Sequence, residues 1–334
     1  MRKNKLLATV VTILAVGMIS SITVSTKVSA APRYGIDVSY HQGDIDWAQV
    51  KSSGVVSFAF IRGGSFNSGI DACFYKNMDG AIANGIPVGI YVYSYAKNAA
   101  EAAQEGLFAV SCARTYPVSL PLVFDIEGNT IKNASPETLR AMINSFCTVV
   151  EAAGYRPMVY SSKNNFVERI GNIPQDKWVA QYASACAYSN PDFWQYTSKA
   201  SIPGIAGMVD CDVQYKDYST IINANGWRTV GGNTFYMENY IPHKGWLSVD
   251  GKRYYMDPLL GTKTTGLVTD GLGIYYCGND GSMQTGLINI AGANFYFDPA
   301  TGMMLTNQVV KVGKKTYSLD VIGVATEIAA PKKK

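Results

Sequence analysis

Between residues 34 and 196 the chain repeats one pattern, short apolar runs that end in polar residues and alternate with helical stretches, and this constrains the fold more than any other feature. The runs are Tyr34–Ser39, Val55–Arg62, Pro87–Ser94, Leu120–Glu127, Arg156–Tyr160, Lys177–Tyr182 and Asp192–Tyr196. Continuous apolar character is what parallel strands need when both faces are buried. The clearest helix is predicted after Ser135-Pro136, an N-cap with proline at the first helical position, and runs to Gly154 with Leu139, Met142, Ile143, Phe146, Val149 and Val150 on one face. Residues 72–84 and 99–115 read the same way. So many strand-helix-strand units imply an α/β chain folded into a barrel or a partly closed relative.

Active sites of such folds lie at the carboxyl ends of the strands. Acids fall at three such ends: Asp37, the pair Asp125 and Glu127, and Asp210. Two residues apart on a strand, Asp125 and Glu127 point to the same side, about 6 to 7 Å apart along the backbone. Two carboxyls in one pocket push their pKa values apart, as general acid catalysis of glycoside cleavage requires. Any one of these acids alone reads as readily as a partner of Arg62 or a helix cap. Near the same strand ends, Tyr91, Tyr93, Tyr95, Tyr160, Trp194 and Tyr196 are candidates to stack on sugar faces, with about half expected to pack in the core because alternate strand residues face opposite ways. Arg62, Tyr91, Tyr93, Tyr160, Trp194 and Tyr196 make up the candidate substrate-binding set. Two histidines are too few for a His-based triad or a His-rich metal site, so no metal or other cofactor is expected, and His41 is read as ordering the loop after Asp37.

Tyr34-Gly-Ile-Asp-Val-Ser-Tyr-His-Gln-Gly43, Phe58-Ala-Phe-Ile-Arg62, Gly85-Ile-Pro-Val-Gly-Ile-Tyr91, Leu122-Val-Phe-Asp-Ile-Glu127, Trp194-Gln-Tyr196 and Val209-Asp210 stand in an order and spacing that resembles glycoside hydrolase family 25, the Chalaropsis-type lysozymes. The resemblance runs from about Gly35 to Tyr218. It implies an irregular, TIM-like β/α barrel that hydrolyses the β-1,4 bond between N-acetylmuramic acid and N-acetylglucosamine in peptidoglycan. It also implies Glu127 as proton donor, with Asp37, Asp125 and Asp210 as the other pocket acids. The family pattern usually has Asn two residues after the position of Asp210, where this chain has Asp212, an extra acid able to alter pocket pKa values. As the implied proton donor, Glu127 is expected to have its pKa raised by Asp125 and by partial burial. A chitinase-like D-x-x-D-x-D-x-E is excluded, because Leu120 and Val123 stand where that pattern has aspartates.

From Gly226 on the construction changes: this last third holds 16 of the 32 glycines. Aligning Gly226-Trp227, Gly245-Trp246, Gly266-Leu267, Gly286-Leu287 and Asn307-Gln308 places a Tyr ten positions on in each unit, at Tyr236, Tyr255, Tyr276, Tyr296 and Tyr317. Glycines between short strands predict β-hairpins, and units of about 20 residues bury a face only by stacking into a solenoid. The units look like the cell-wall-binding repeats of choline-binding and glucan-binding proteins. Choline capture needs an aromatic cage, so Trp227, Tyr236, Trp246 and Tyr255 are the candidate ligand residues, for a choline-bearing polymer or a wall polysaccharide. The alternative is a spacer whose tyrosines are only core.

Residues 1–30 carry Arg2, Lys3, Lys5 and Lys27 and no acid, with an apolar run from Leu6 to about Met18 and small residues at Val28-Ser29-Ala30, the pattern of a cleaved signal peptide. An uncleaved anchor is the competing reading. The net charge of +4 belongs to this segment, since the remainder balances at 25 basic and 25 acidic groups, and a nucleic-acid binder driven by phosphate attraction is therefore unlikely. Six cysteines without a CxxC motif leave disulfides and buried free thiols both open. The expectation is a secreted, wall-associated peptidoglycan lysozyme with no membrane span after signal cleavage: signal 1–30, catalytic barrel 33–219, wall-binding repeats 226–325 and basic tail 326–334. The rival is a wall-binding protein whose barrel holds glycan without cutting it.

Overall fold

The computed structural model describes residues 32–329, so the expected signal segment and Lys332 to Lys334 of the tail lie outside the described residues. The first elements are β1 (Arg33–Val38), α1 (Trp47–Ser52), β2 (Ala59–Ser65), β3 (Gly69–Ile70), α2 (Phe74–Ala83), β4 (Val88–Tyr93), α3 (Ala99–Ala113) and β5 (Leu122–Asp125). They are followed by α4 (Gly128–Asn133), α5 (Pro136–Ala152), β6 (Pro157–Ser162), β7 (Asp176–Ala180), β8 (Phe193–Ala200) and β9 (Val209–Gln214). Strands β1, β2 and β4 to β9 close into an eight-stranded barrel, with β3 added antiparallel to β2 at its rim. The predicted barrel is therefore present. The sequence pattern implied parallel pairing throughout, whereas β9 runs antiparallel to both β8 and β1, and no helix lies between β7 and β9.

Two cores hold the barrel. Outside it, the helices pack on the apolar strand faces; α5 begins as expected, the Ser135 hydroxyl accepting from the Thr138 amide at 3.2 Å, and buries Leu139, Met142, Ile143 and Phe146. Gly106 of α3 brings that helix close to α5, since a Cβ there would lie 3.1 Å from the Phe146 carbonyl oxygen and from Val149 Cβ. Inside the barrel an aromatic plug fills the lower half: Phe60 stacks on Trp178 at 4.6 Å, and Phe193 meets Phe58 and Phe60 edge-on at 5.2 and 5.0 Å. The plug is the floor on which the pocket residues stand. All six cysteines, Cys73, Cys112, Cys147, Cys186, Cys211 and Cys277, are free thiols.

Past the barrel, five antiparallel hairpins follow, beginning with strands Gly226–Val230 and Asn233–Glu238, and single bridges such as Phe235 to Thr262 and Phe295 to Val324 link one unit to a later one. In the first, second and fourth hairpins two-residue turns at Gly231-Gly232, Asp250-Gly251 and Ala291-Gly292 use positive φ at both positions, as the right-handed strand twist favours. The fifth unit departs from the sequence alignment by one residue. Its register pairs Gln308 with Leu319 and Val310 with Tyr317, so Tyr317 occupies the place of Phe235, not of Tyr236. The first hairpin is docked on the barrel: Phe235 is fully buried against Gly154, and the buried Arg228 donates from Nη1 to the Gly154 carbonyl oxygen at 3.2 Å. Burial brings the Arg228 pKa down to about 10. Among the described residues no helix is long and apolar enough to cross a membrane.

Candidate active site

The carboxyl ends of the parallel strands surround a cavity of about 650 Å³ lined by Asp37, Arg62, Tyr91, Tyr93, Tyr95, Asp125, Glu127, Tyr160 and Asp210. Strand register explains the grouping. On β5, Val123 and Asp125 face inward while Leu122 and Phe124 face the helices, and Asp125 pairs with Tyr93 on one side and Tyr160 on the other. The strand ends at Asp125, but the backbone stays extended through Glu127 (φ −150°, ψ −167°), so the alternation carries both carboxyls into the cavity. Glu127 precedes α4 without capping it, which leaves its carboxyl to the cavity. Gly128 then turns the chain at φ +56°, where a Cβ would come within 2.8 Å of the Tyr93 hydroxyl.

Asp37 and Asp210 arrive from the other wall as direct partners across β1 and β9. Behind them lies a network centred on Gln195, the middle residue of Trp194-Gln-Tyr196, to which the sequence reading gave no role. Gln195 donates from Nε2 to Asp37 Oδ2 at 2.7 Å and accepts on Oε1 from the hydroxyls of Tyr160 at 2.9 Å and Tyr182 at 3.1 Å. One pleat deeper, Asp212 is fully buried and accepts from Trp178 Nε1 at 2.7 Å, while its Oδ2 has no hydrogen-bond partner of good geometry. Asp212 is thus an internal acid beneath the cavity, not one that lines it.

Burial is the main cause of every shift at these acids. It pushes Asp37 well above the usual aspartate range, with Asp210 adding to the rise and the Gln195 hydrogen bond opposing it. Asp125 is raised well above that range by burial and then by Glu127. Glu127 is raised by burial and then by Asp210, with Arg62 opposing; burial thus acts as expected, but the second cause is Asp210 and not the neighbouring Asp125. Asp210 is raised by burial, with His41 opposing. Arg62 supplies positive charge at the cavity wall: its guanidinium lies 5.6 Å from both the Tyr40 and Tyr93 ring centres, and its Nε faces Asp71 Oδ2 at 4.0 Å without a hydrogen bond.

Trp194 and Tyr196 are corrections. The residue between them, Gln195, takes the inward position on β8, so the two aromatic side chains lie on the barrel's outer side. Trp194 donates from Nε1 to the Gln181 carbonyl oxygen at 2.7 Å, and Tyr196 meets Tyr34 edge-on at 6.4 Å. The loop after Asp37 also differs from expectation. Ser39 and Gln42 fasten it by reciprocal side-chain to backbone hydrogen bonds, and the His41 ring, 4.0 Å from that of Tyr40, faces the cavity.

A family model for glycosyl hydrolases family 25 matches residues 36–205, half of the chain, a range that includes Asp37, Asp125 and Glu127. The chain belongs to glycosyl hydrolase family 25. Lysozyme M1 of Streptomyces globisporus is 28% identical over 193 residues, covering 53% of this chain and 65% of that protein. Among solved structures, the modular autolysin LytC of Streptococcus pneumoniae, determined with a synthetic peptidoglycan ligand, aligns at a TM-score of 0.51 and 29% identity over 55% of this chain and 47% of LytC. The bacterial lysozyme of Streptomyces coelicolor aligns at 0.51 and 26%, over 56% of this chain and 94% of that one. The family 25 chain thus spans less than two thirds of lysozyme M1 and about half of LytC. A cell wall binding repeat matches residues 225–239, the first hairpin.

Proposed function

We propose that this family 25 hydrolase is a secreted lysozyme that cleaves the β-1,4 bond between N-acetylmuramic acid and N-acetylglucosamine in peptidoglycan, held at the wall by its hairpins. The observation that carries the reading is the acid-lined cavity itself, where Asp125 and Glu127 share one mouth and both hold protons more tightly than free carboxyls. Glycoside cleavage needs a carboxylic acid to protonate the leaving oxygen and a carboxylate to stabilise positive charge growing on the sugar ring. Glu127, the more exposed of the two and set beyond the strand end, suits the acid. Asp125, with a buried Oδ1 that has no protein partner, suits the charge-stabilising role in its ionised form, which Arg62 favours, and Asp37 and Asp210 stand as further acids on the opposite wall. Tyr91, Tyr93 and Tyr160 line the cleft where sugar rings would lie, and Arg62 tempers the surplus of negative charge.

Mass analysis of the fragments released from purified peptidoglycan tests the bond assignment. Fragments ending in reducing N-acetylmuramic acid are expected; reducing N-acetylglucosamine would assign the chain to the other bond of the strand, and no release beyond that of Glu127→Gln would leave a wall-binding protein. For retention, the docked first hairpin should be kept and residues 245–334 removed. That truncation should lower binding to purified walls more than hydrolysis of soluble fragments, and equal retention would remove the anchoring role.

A further inference from the structure

The hairpins place two tryptophans in matching surroundings. Trp227 meets Tyr236 of its own hairpin at 5.2 Å and Tyr254 of the next at 4.9 Å, and Trp246 meets Tyr255 and Tyr275 at 5.0 and 4.8 Å, all four edge-on. Steeply inclined rings form an open corner whose π faces attract a cation. Over each tryptophan ring lies a cation of the chain. The Lys263 ammonium lies 5.5 Å from the Trp227 ring centre, and the Arg253 guanidinium lies 4.5 Å from that of Trp246.

Lys263 is held there by the repeat's own geometry. Pro242, Lys263, Met283 and Met304 occupy one structural position, opposite Met237, Met256, Cys277 and Phe297 respectively. The amides of Lys263 and Met304 also make the same bond, donating at 2.7 Å to the carbonyl oxygens of Thr234 and Ile274. Three of the four residues are apolar, and the fourth, at the Trp227 corner, is a lysine. Its stem lies against Gly281, where a Cβ would come within 2.7 to 3.0 Å of Cδ, Cγ and Cε, and its ammonium donates to the Asp280 carbonyl oxygen at 2.8 Å. At the other corner Asp270 fixes the indole beneath Arg253, accepting from Trp246 Nε1 at 2.8 Å.

We propose that Lys263 and Arg253 set the ligand specificity of the repeats: they are built-in occupants of the two aromatic corners, shut out quaternary ammonium groups such as choline, and leave a wall saccharide as the ligand class. A quaternary ammonium must reach within about 6 Å of an aromatic face, where it would meet a like charge in a partly dry site. A saccharide meets no such repulsion. The part of Trp227 that stays exposed, 37%, offers a sugar ring an apolar plane beside hydrogen-bonding groups. The proposal rests on the wall-binding reading of the hairpins.

The test is titration of the full chain with choline chloride, followed by tryptophan fluorescence without any wall present, so that it reads independently of wall retention. The wild type should show no saturable change at millimolar choline. The double variant Lys263→Met, Arg253→Thr takes its residues from the equivalent positions 283, 304 and 234 of the same repeats, and should gain saturable choline binding at least tenfold tighter than the wild type. Saturation of the wild type at the same concentrations, or a double variant with an unchanged melting curve that gains nothing, would overturn the proposal. Should the double variant not fold, the wild type decides alone: saturable choline binding overturns the proposal, and its absence, with choline failing to elute the chain from purified walls, upholds it.

Discussion

Asp37 and Asp210 face each other directly across the antiparallel strands that close the barrel, two carboxyls on the same side of one sheet. Like charges so placed repel, and burial adds to the cost of ionising either one. The barrel mouth therefore holds protons at pH values where a free aspartate has lost them.

The same physics makes stability depend on pH. Asp37, Asp125 and Asp212 all bind protons more tightly folded than unfolded, so stability is greatest when they are protonated and falls as pH rises above the unfolded value near 3.8 toward the raised folded values. Asp212→Asn removes one of these groups and keeps an oxygen for Trp178. It should raise the melting temperature of the barrel at neutral pH by on the order of 2–4 °C, the effect of about 1 kcal/mol in a domain of its size. The gain should vanish well below the unfolded value of 3.8, by about pH 3, where the acid is protonated in both states. Melting curves across this range check it, and an equal gain at both ends contradicts it.

In the proposed reaction Glu127 gives its proton to the leaving oxygen, and replacing it with Gln preserves shape and removes that proton. Reducing-end release from peptidoglycan should fall by about 10² to 10⁴ in kcat, while binding of soluble fragments changes little. A loss confined to KM would reassign Glu127 to substrate binding.

Gln195 joins Asp37 to Tyr160 and Tyr182, so Gln195→Leu would leave three polar groups to find new partners. The expected result is a stability loss of about 1 to 3 kcal/mol together with a shift in the pH profile of kcat/KM. A stability loss with an unmoved profile would limit the residue to packing.

At Gly128, alanine would add both a strained positive φ and a collision with the Tyr93 hydroxyl. Gly128→Ala should cost about 1 to 2 kcal/mol and lower kcat more than a surface change of equal cost, because it moves the residue that follows Glu127. Activity and melting measured together separate the two effects.

Much of this site could be read along the chain because a strand exposes alternate residues to one side. Asp125 and Glu127 came out together by that parity, and the apolar runs located every strand of the barrel before the last. Parity also explains the misreading of Trp194 and Tyr196: the aromatic residues flank the inward position, and a glutamine holds it. The direction of the strand Val209–Gln214 was not legible, since the runs before it suggested parallel pairing and buried strands of either sense have similar composition. Contacts of high sequence separation, such as Gln195 on Asp37, leave no local signature at all. Within the repeats, the one-residue slip at Tyr317 passed unseen because a spacing of ten from Asn307 fits the sequence period while the hydrogen bonds choose another register.

The anchoring of Arg228 and Phe235 on Gly154 moves the practical seam of the molecule. A chimera joined just before Gly226 would give the catalytic body a bare apolar scar and hand the transplanted repeats a stranded arginine. Cut before Gly245, the same chain keeps its docked hairpin on the enzyme and parts instead between hairpins, where an exchanged cassette has the partners of Phe235 and Trp227 to restore.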